Sequence, residues 1–124
     1  MKIAIILLLV FGFLAVRGYG QATGNYTDID VATFKTKMND PNVGILDVRT
    51  PTETAQGKIP GAIELNVMDS SFVERVRQLD KSKTWLVYCR SGRRSARACG
   101  IMSKEGFEHL YNLKGGYNAW KAQQ

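Results

Sequence analysis

The sequence is poor in the residues that bind metals or build disulfide frameworks. Among 124 residues it has two cysteines, Cys89 and Cys99, and one histidine, His109. The cysteines form no Cys-x-x-Cys pair and the histidine stands alone, so neither a dithiol redox motif nor a clustered metal site is supported. Internal repeats, low-complexity tracts and linkers are absent, and the length suits one domain rather than two. The main apolar run, Ile3 to Val16, is 14 residues long, short of the ~20 that a membrane-spanning helix needs. The net charge of +6 is mild and scattered. It can attract small anions, but it makes no nucleic-acid surface.

That apolar run follows Lys2 and precedes small residues at Gly18 and Gly20, which is the pattern of a secretory signal peptide over residues 1–20. Cleavage near Gly20 leaves residues 21–25 as a loose N-terminus and removes Lys2 and Arg17, lowering the charge to +4. The expected location is outside the cytoplasm, periplasmic or secreted. The alternative is an uncleaved membrane anchor, because Arg17 and Tyr19 interrupt the small-residue pattern. With no cysteine near position 20, a lipid-modified N-terminus is excluded. In an oxidising compartment a Cys89–Cys99 disulfide must be weighed. However, Cys99 shares the inward stripe of a helix with Ser95 and Met102, which marks it as a small core residue.

From Tyr26 onward the chain alternates strand and helix. Strands are expected at Tyr26–Ile29, Val43–Val48, Ile63–Leu65, Thr84–Tyr88 and His109–Leu113. Helices are expected from Asp30 to Met38, after a capping box at Thr50 to Glu53, from Ser70 to Leu79, from Ser95 to Glu105 and from Gly116 to Ala122. This alternation implies an α/β fold, a small parallel five-stranded sheet with helices on both faces, over residues 26–122. Chemistry in such sheets gathers beyond the carboxyl ends of the strands. Cys89 stands one residue past the most apolar strand.

The stretch "CRSGRRS", Cys89 to Ser95, places one cysteine before a tight loop and a helix start. A thiolate is favoured at a helix N-terminus and beside cations. Gly92 admits the backbone angles of a tight loop, and the N–H groups of such a loop form a nest for an anion. The candidate nucleophile is therefore Cys89, with Arg90, Ser91, Gly92, Arg93 and Arg94 as an anion-binding loop. The competing reading makes the arginines a solvated helix face. It fits Arg97 well and fits three arginines within five residues of the cysteine badly.

Four ordered segments carry a family resemblance. They are "ILDVRTPTE" with Asp47, Arg49 and Glu53, "GKIPGAIEL", "VYCRSGRRS", and "GFEHLYNLKGGYNAW" ending at Trp120. Together the chain resembles single-domain rhodaneses, which are sulfurtransferases. The resemblance implies a rhodanese-like fold and a Cys89 persulfide that carries sulfane sulfur from a small anionic donor such as thiosulfate to cyanide or a thiol. It also implies that the six-residue loop Cys89–Arg94 suits sulfur. Phosphatases on the same fold have one more residue, with arginine at the sixth place after the cysteine. Here that place is Ser95. Lys58 stands where the family usually has histidine.

In this reading Arg90 and Arg94 orient the dianion, and Arg93 points either way. Asp47, Arg49 and Ser95 support the loop, with Asp47 bracing it and Arg49 paired with Glu53. No cofactor or metal is expected, no nucleic acid is involved, and any acceptor protein is unidentified. A persulfide carrier or sensor without fast turnover is the alternative, and a phosphatase or arsenate reductase is disfavoured by loop length. Trp85, Tyr88 and Trp120 read as core or pocket wall, and His109 as structural.

Overall fold

The computed structural model describes residues 25–124. The signal peptide and most of the loose N-terminus read from the sequence lie outside the described residues. Five strands, β1 (Thr27–Ile29), β2 (Val43–Asp47), β3 (Ile63–Glu64), β4 (Thr84–Tyr88) and β5 (Leu110–Leu113), form one sheet in the order β1-β5-β4-β2-β3. Every pairing is parallel. Helices α1 (Val31–Met38), α2 (Pro51–Thr54), α3 (Phe72–Val76), α4 (Arg93–Lys104) and α5 (Gly116–Ala122) connect and cover the strands. The fold is the α/β architecture expected from the sequence.

β4 is central and buried on both faces. Trp85, Val87 and Cys89 pack in one apolar cluster with Phe72, Val76, Ala98, Cys99 and Met102. Leu86 and Tyr88 pack in the other with Val31, Phe34, Ile59 and Leu113, flanked by Tyr117 and Trp120. Alternation along a strand sends neighbours to opposite faces, so α3 and α4 cover one side while α1 and α5 cover the other. In α4 the buried residues are Ser95, Ala98, Cys99 and Met102, spaced as one helical stripe. Cys99 is thus a core residue, and both cysteines are free thiols.

Several element ends differ from the expected ones, each for a local reason. α4 starts at Arg93 rather than Ser95, because Gly92 at φ 105° caps it and its carbonyl already accepts the Ala96 N–H at 3.2 Å. α3 spans only Phe72–Val76, because Gln78 and Leu79 donate three residues back, to Arg75 O at 3.1 Å and Val76 O at 3.0 Å, which ends the α-helical ladder. α2 is a single turn set by the reciprocal Thr50–Glu53 capping box with Pro51 at its first position.

The topology marks one place for a site. After β2 the chain moves outward to β3, and after β4 it moves the opposite way to β5. The reversal lies between β2 and β4, and the crevice beyond their carboxyl ends is where open α/β sheets bind ligands. Cys89 sits there.

Packing across β2 and β4 is tight at Gly44, whose register partner is Trp85. A methyl group at Gly44 would lie 2.6 Å from a carbon of the buried indole. Gly44→Ala is therefore expected to destabilise the domain by about 1–3 kcal/mol. The urea midpoint should fall without a change in slope. An unchanged midpoint would show that the indole yields freely.

Candidate active site

β4 delivers Cys89 to the crevice, and the loop that follows folds around its sulfur. The residue is fully buried. Its Sγ accepts the Gly92 N–H at 3.1 Å and the Ser95 hydroxyl at 3.3 Å. Gly92 permits this turn, since φ 105° is a left-handed conformation that side chains rarely adopt. Burial acts on the thiol most strongly and pushes its pKa up. The Ser95 hydroxyl and the N–H groups of Ser95, Gly92 and Ser91 act against it, and the net position is below the ordinary thiol value. Cys99 has no such donors, and burial pushes it up to about 12.

The carbonyl side of the loop is held by a second helix start. Cys89 O accepts the Tyr117 N–H at 2.8 Å, and Arg90 O accepts that of Asn118 at 3.1 Å. Both donors belong to the first turn of α5. Close approach requires glycine at 116, where a Cβ would stand 2.6 Å from Cys89 O. Asn112 on β5 adds a third tie, donating to Gly92 O at 3.2 Å and to Asp28 at 2.9 Å. Gly116, Tyr117, Asn118 and Asn112 were not singled out from the sequence. The Gly115-Gly116 pair at a strand-to-helix junction was the available signal.

The arginines divide into distinct settings. Arg94 makes two hydrogen bonds to Glu53, at 2.7 and 2.8 Å. This fork, opposed by burial and helped by Thr50, brings the Glu53 carboxyl down to about 2. The expected Arg49–Glu53 pair is therefore not formed. Arg49 instead turns onto Asp47, with its Nη2 2.7 Å from Oδ2 and its Nε 2.9 Å from Oδ1, and donates to Gly57 O at 2.8 Å. The reason is burial: Asp47 has no exposed surface and Arg49 only 4%, and a buried carboxylate needs a charge partner close by. The guanidinium also lies 4.3 Å from the Tyr117 ring centre. Asp47 accepts the Tyr88 hydroxyl at 2.6 Å, so it braces the residue before Cys89 and not the loop itself. Arg90, Ser91, Arg93 and Arg97 are exposed.

A cavity of about 180 Å³ opens beside the loop. Arg49, Glu53 and Gln56 line one side of it, and Arg90, Tyr117, Asn118 and Lys121 the other. A larger hollow of about 290 Å³ lies at the opposite end of the sheet, near Tyr26 and His109, far from the thiol. Lys58 pairs with Glu64 at 2.9 Å on the surface. Among the described residues no three His, Cys, Asp or Glu side chains gather as metal ligands.

Residues 30–123 match the family model described as Rhodanese-like domain. A protein named Sulfurtransferase from Allochromatium vinosum is 36% identical over 94 residues, covering 75% of this chain and 86% of its own. The crystal structure of a rhodanese-related protein from Thermoplasma volcanium has a TM-score of 0.70 at 28% identity, covering 79% of this chain and 93% of that one. The rhodanese-like domain of Alr3790 from Anabaena, solved in solution, has a TM-score of 0.69 at 33% identity, covering 77% of this chain and 74% of that one.

The donors around Cys89 generate a prediction about its ionisation. Ser95→Ala removes the strongest contribution that favours the thiolate, so the midpoint of the alkylation rate against pH should rise. Arg94→Ala should move that midpoint less, because its guanidinium bonds to Glu53 and not to Sγ. Cys99 stays silent in this window. A larger shift from Arg94→Ala than from Ser95→Ala would transfer the activating role to the side-chain charge.

Proposed function

The chain belongs to the rhodanese-like domain family, and on that premise we propose that it is a sulfurtransferase working through a persulfide on Cys89. The observation that carries this reading is the buried Sγ at the strand end, met by a hydroxyl and loop amides that favour its ionised form. In the first half-reaction the Cys89 thiolate attacks the outer sulfur of thiosulfate. The sulfur–sulfur bond of the donor breaks, and sulfite leaves with the electron pair. In the second, cyanide or a thiolate attacks the outer sulfur of the persulfide, and Cys89 departs again as thiolate. No cofactor enters either step.

The loop residues divide this work. The amides of Ser91, Gly92 and Ser95 stabilise the sulfur anion at both stages. Arg90, exposed at the cavity, meets the incoming dianion. Arg94 acts by position, fixing α2 against the loop through Glu53, and its charge still reaches Cys89. The Cys89–Arg94 loop, one residue shorter than a phosphate-binding loop on this fold, favours sulfur over phosphate. Thiosulfate treatment is expected to raise the intact mass by about 32 Da, one sulfur, on Cys89, and a reducing thiol should remove it. Cys89→Ser should show no gain and no thiocyanate formation from thiosulfate and cyanide. An adduct on Cys99 would sink the assignment.

Export belongs to the same proposal, resting on Lys2, the 14-residue apolar run and the small residues Gly18 and Gly20. The mature protein from its native cell is expected to begin near Gln21 by N-terminal sequencing. An intact Met1 on membrane-bound material would assign an anchor instead.

A further inference from the structure

Asn112 is the one polar side chain buried on β5, and the two ends of its amide are in opposite situations. Its register partners are Val87 on β4 and Asp28 on β1. Alternation places it on the sheet face of Leu110, which packs in the cluster of Val87, Cys89 and the α4 stripe. The amide nitrogen donates to Asp28 Oδ1 at 2.9 Å and to Gly92 O at 3.2 Å. A carboxylate and a carbonyl only accept, so they fix which way the amide faces. Its oxygen is buried and has no hydrogen-bond partner among the described residues. A buried acceptor left unpaired costs stability, and leucine would fill this place on an apolar face without that cost. The polar group is accounted for by what its nitrogen holds.

Gly92 is where such a hold matters. Its N–H donates to Cys89 Sγ at 3.1 Å, from a left-handed backbone with φ 105°. A glycine that enters that region freely can leave it as freely. No side chain caps α4 at this end. The Gly92 carbonyl accepts the Ala96 N–H at 3.2 Å, and the Asn112 amide is its second donor. With its N–H on the sulfur and its C=O on Asn112, Gly92 is pinned through both of its peptide groups. Asp28 holds the other hydrogen of the amide, so the anchor lies on β1, outside the loop.

We propose that Asn112 is a positioning residue for Cys89: anchored on Asp28, it pins the Gly92 carbonyl and thereby keeps the Gly92 N–H directed at the sulfur. The inference rests on Cys89 being the reacting thiol of the sulfurtransferase reading, and it gives β5 a part in readying that thiol. No hydrogen bond joins Asn112 to the sulfur, so it acts through Gly92 alone.

The test compares the wild type with Asn112→Leu and Leu110→Ala. Asn112→Leu exchanges one neutral side chain for another of similar size. The groups that reach Cys89 electrostatically, Arg94 and Cys99, are therefore the same in both proteins, and Asp28 keeps its carboxylate. Leu110→Ala opens a cavity on the same strand and face, away from the loop. The rate of Cys89 alkylation by iodoacetamide is followed against pH, with the urea midpoint measured beside it. Asn112→Leu should move the alkylation midpoint upward and lower the rate constant at pH 7 by about threefold or more, while the plateau at high pH is kept. Leu110→Ala should lower the urea midpoint further than Asn112→Leu does and leave the alkylation midpoint in place. Asn112→Ala carries the same comparison if Asn112→Leu does not fold. An alkylation midpoint unmoved by the Asn112 variant would overturn the inference and leave Asn112 a structural residue. An equal rise in Leu110→Ala would overturn it as well, by showing that any loosening of the sheet reaches the thiol. Thiosulfate loading of the wild type is measured separately. Its failure would remove the sulfurtransferase reading, whereas the alkylation midpoints would still decide whether Asn112 positions the thiol.

Discussion

A buried thiolate persists only where its charge is met by donors fixed in advance, and the carboxyl end of β4 is organised around that requirement. Desolvation is the largest single influence on Cys89 and acts against ionisation. The protein answers with backbone N–H groups and one hydroxyl, which cost no reorganisation when charge appears. This answer constrains the chain widely. Gly92 must take a left-handed conformation so that its amide faces the sulfur. The carbonyls of Cys89 and Arg90 then point away, and the start of α5 must satisfy them. Gly116 must lack a side chain for that helix to come close enough. Two helix N-termini thus grip one loop from opposite sides, the first serving the sulfur and the second the backbone.

The buried pair Asp47–Arg49 holds the other wall in place. An ion pair taken out of water is weak evidence of net stabilisation, since desolvation offsets most of the attraction. Its value here is geometric. Asp47 fixes the Tyr88 hydroxyl, which in turn accepts the Ile59 N–H at 3.0 Å. Arg49 fixes the Gly57 carbonyl. Two polar side chains from the end of β2 therefore pin the 57–62 loop, and that loop closes the apolar cluster through Ile59 and Ala62. Removing Arg49 alone would strand the fully buried Asp47 carboxylate without its charge partner.

The architecture was readable because its signals are local. The unbroken apolar run "TWLVY", the stripe Ser95-Ala98-Cys99-Met102 and the Thr50–Glu53 capping box are each local to one element. Cys89 was readable for the same reason, as a cysteine between a strand and a helix start. The pairings between elements were not readable. Glu53 has Arg49 four residues before it and Arg94 forty-one after it, and sequence distance favours the wrong one. The choice depends on Asp47 being buried deeply enough to claim Arg49, which is a property of the folded sheet. The grip of α5 on the Cys89 loop was hidden likewise, because β5 must first pair with β4 to bring Gly116 near.

The same partition explains how a site rich in arginine keeps specificity. If all its guanidinium groups were free, the crevice would attract any anion and hold none in a defined pose. Here Arg49 and Arg94 are each committed to a carboxylate and serve as struts. Their charges are cancelled within a few ångströms, so their far field is small. Among the described residues Arg90 and Lys121 at the cavity and the exposed Arg93 on the loop take part in no ion pair, while amide dipoles, which carry no net charge, stabilise the sulfur itself. Attraction and activation are thereby assigned to different groups. The side chains that draw an anion inward can change without disturbing the thiolate, and the amides that hold the thiolate stay fixed by two helices whatever lies in the cavity.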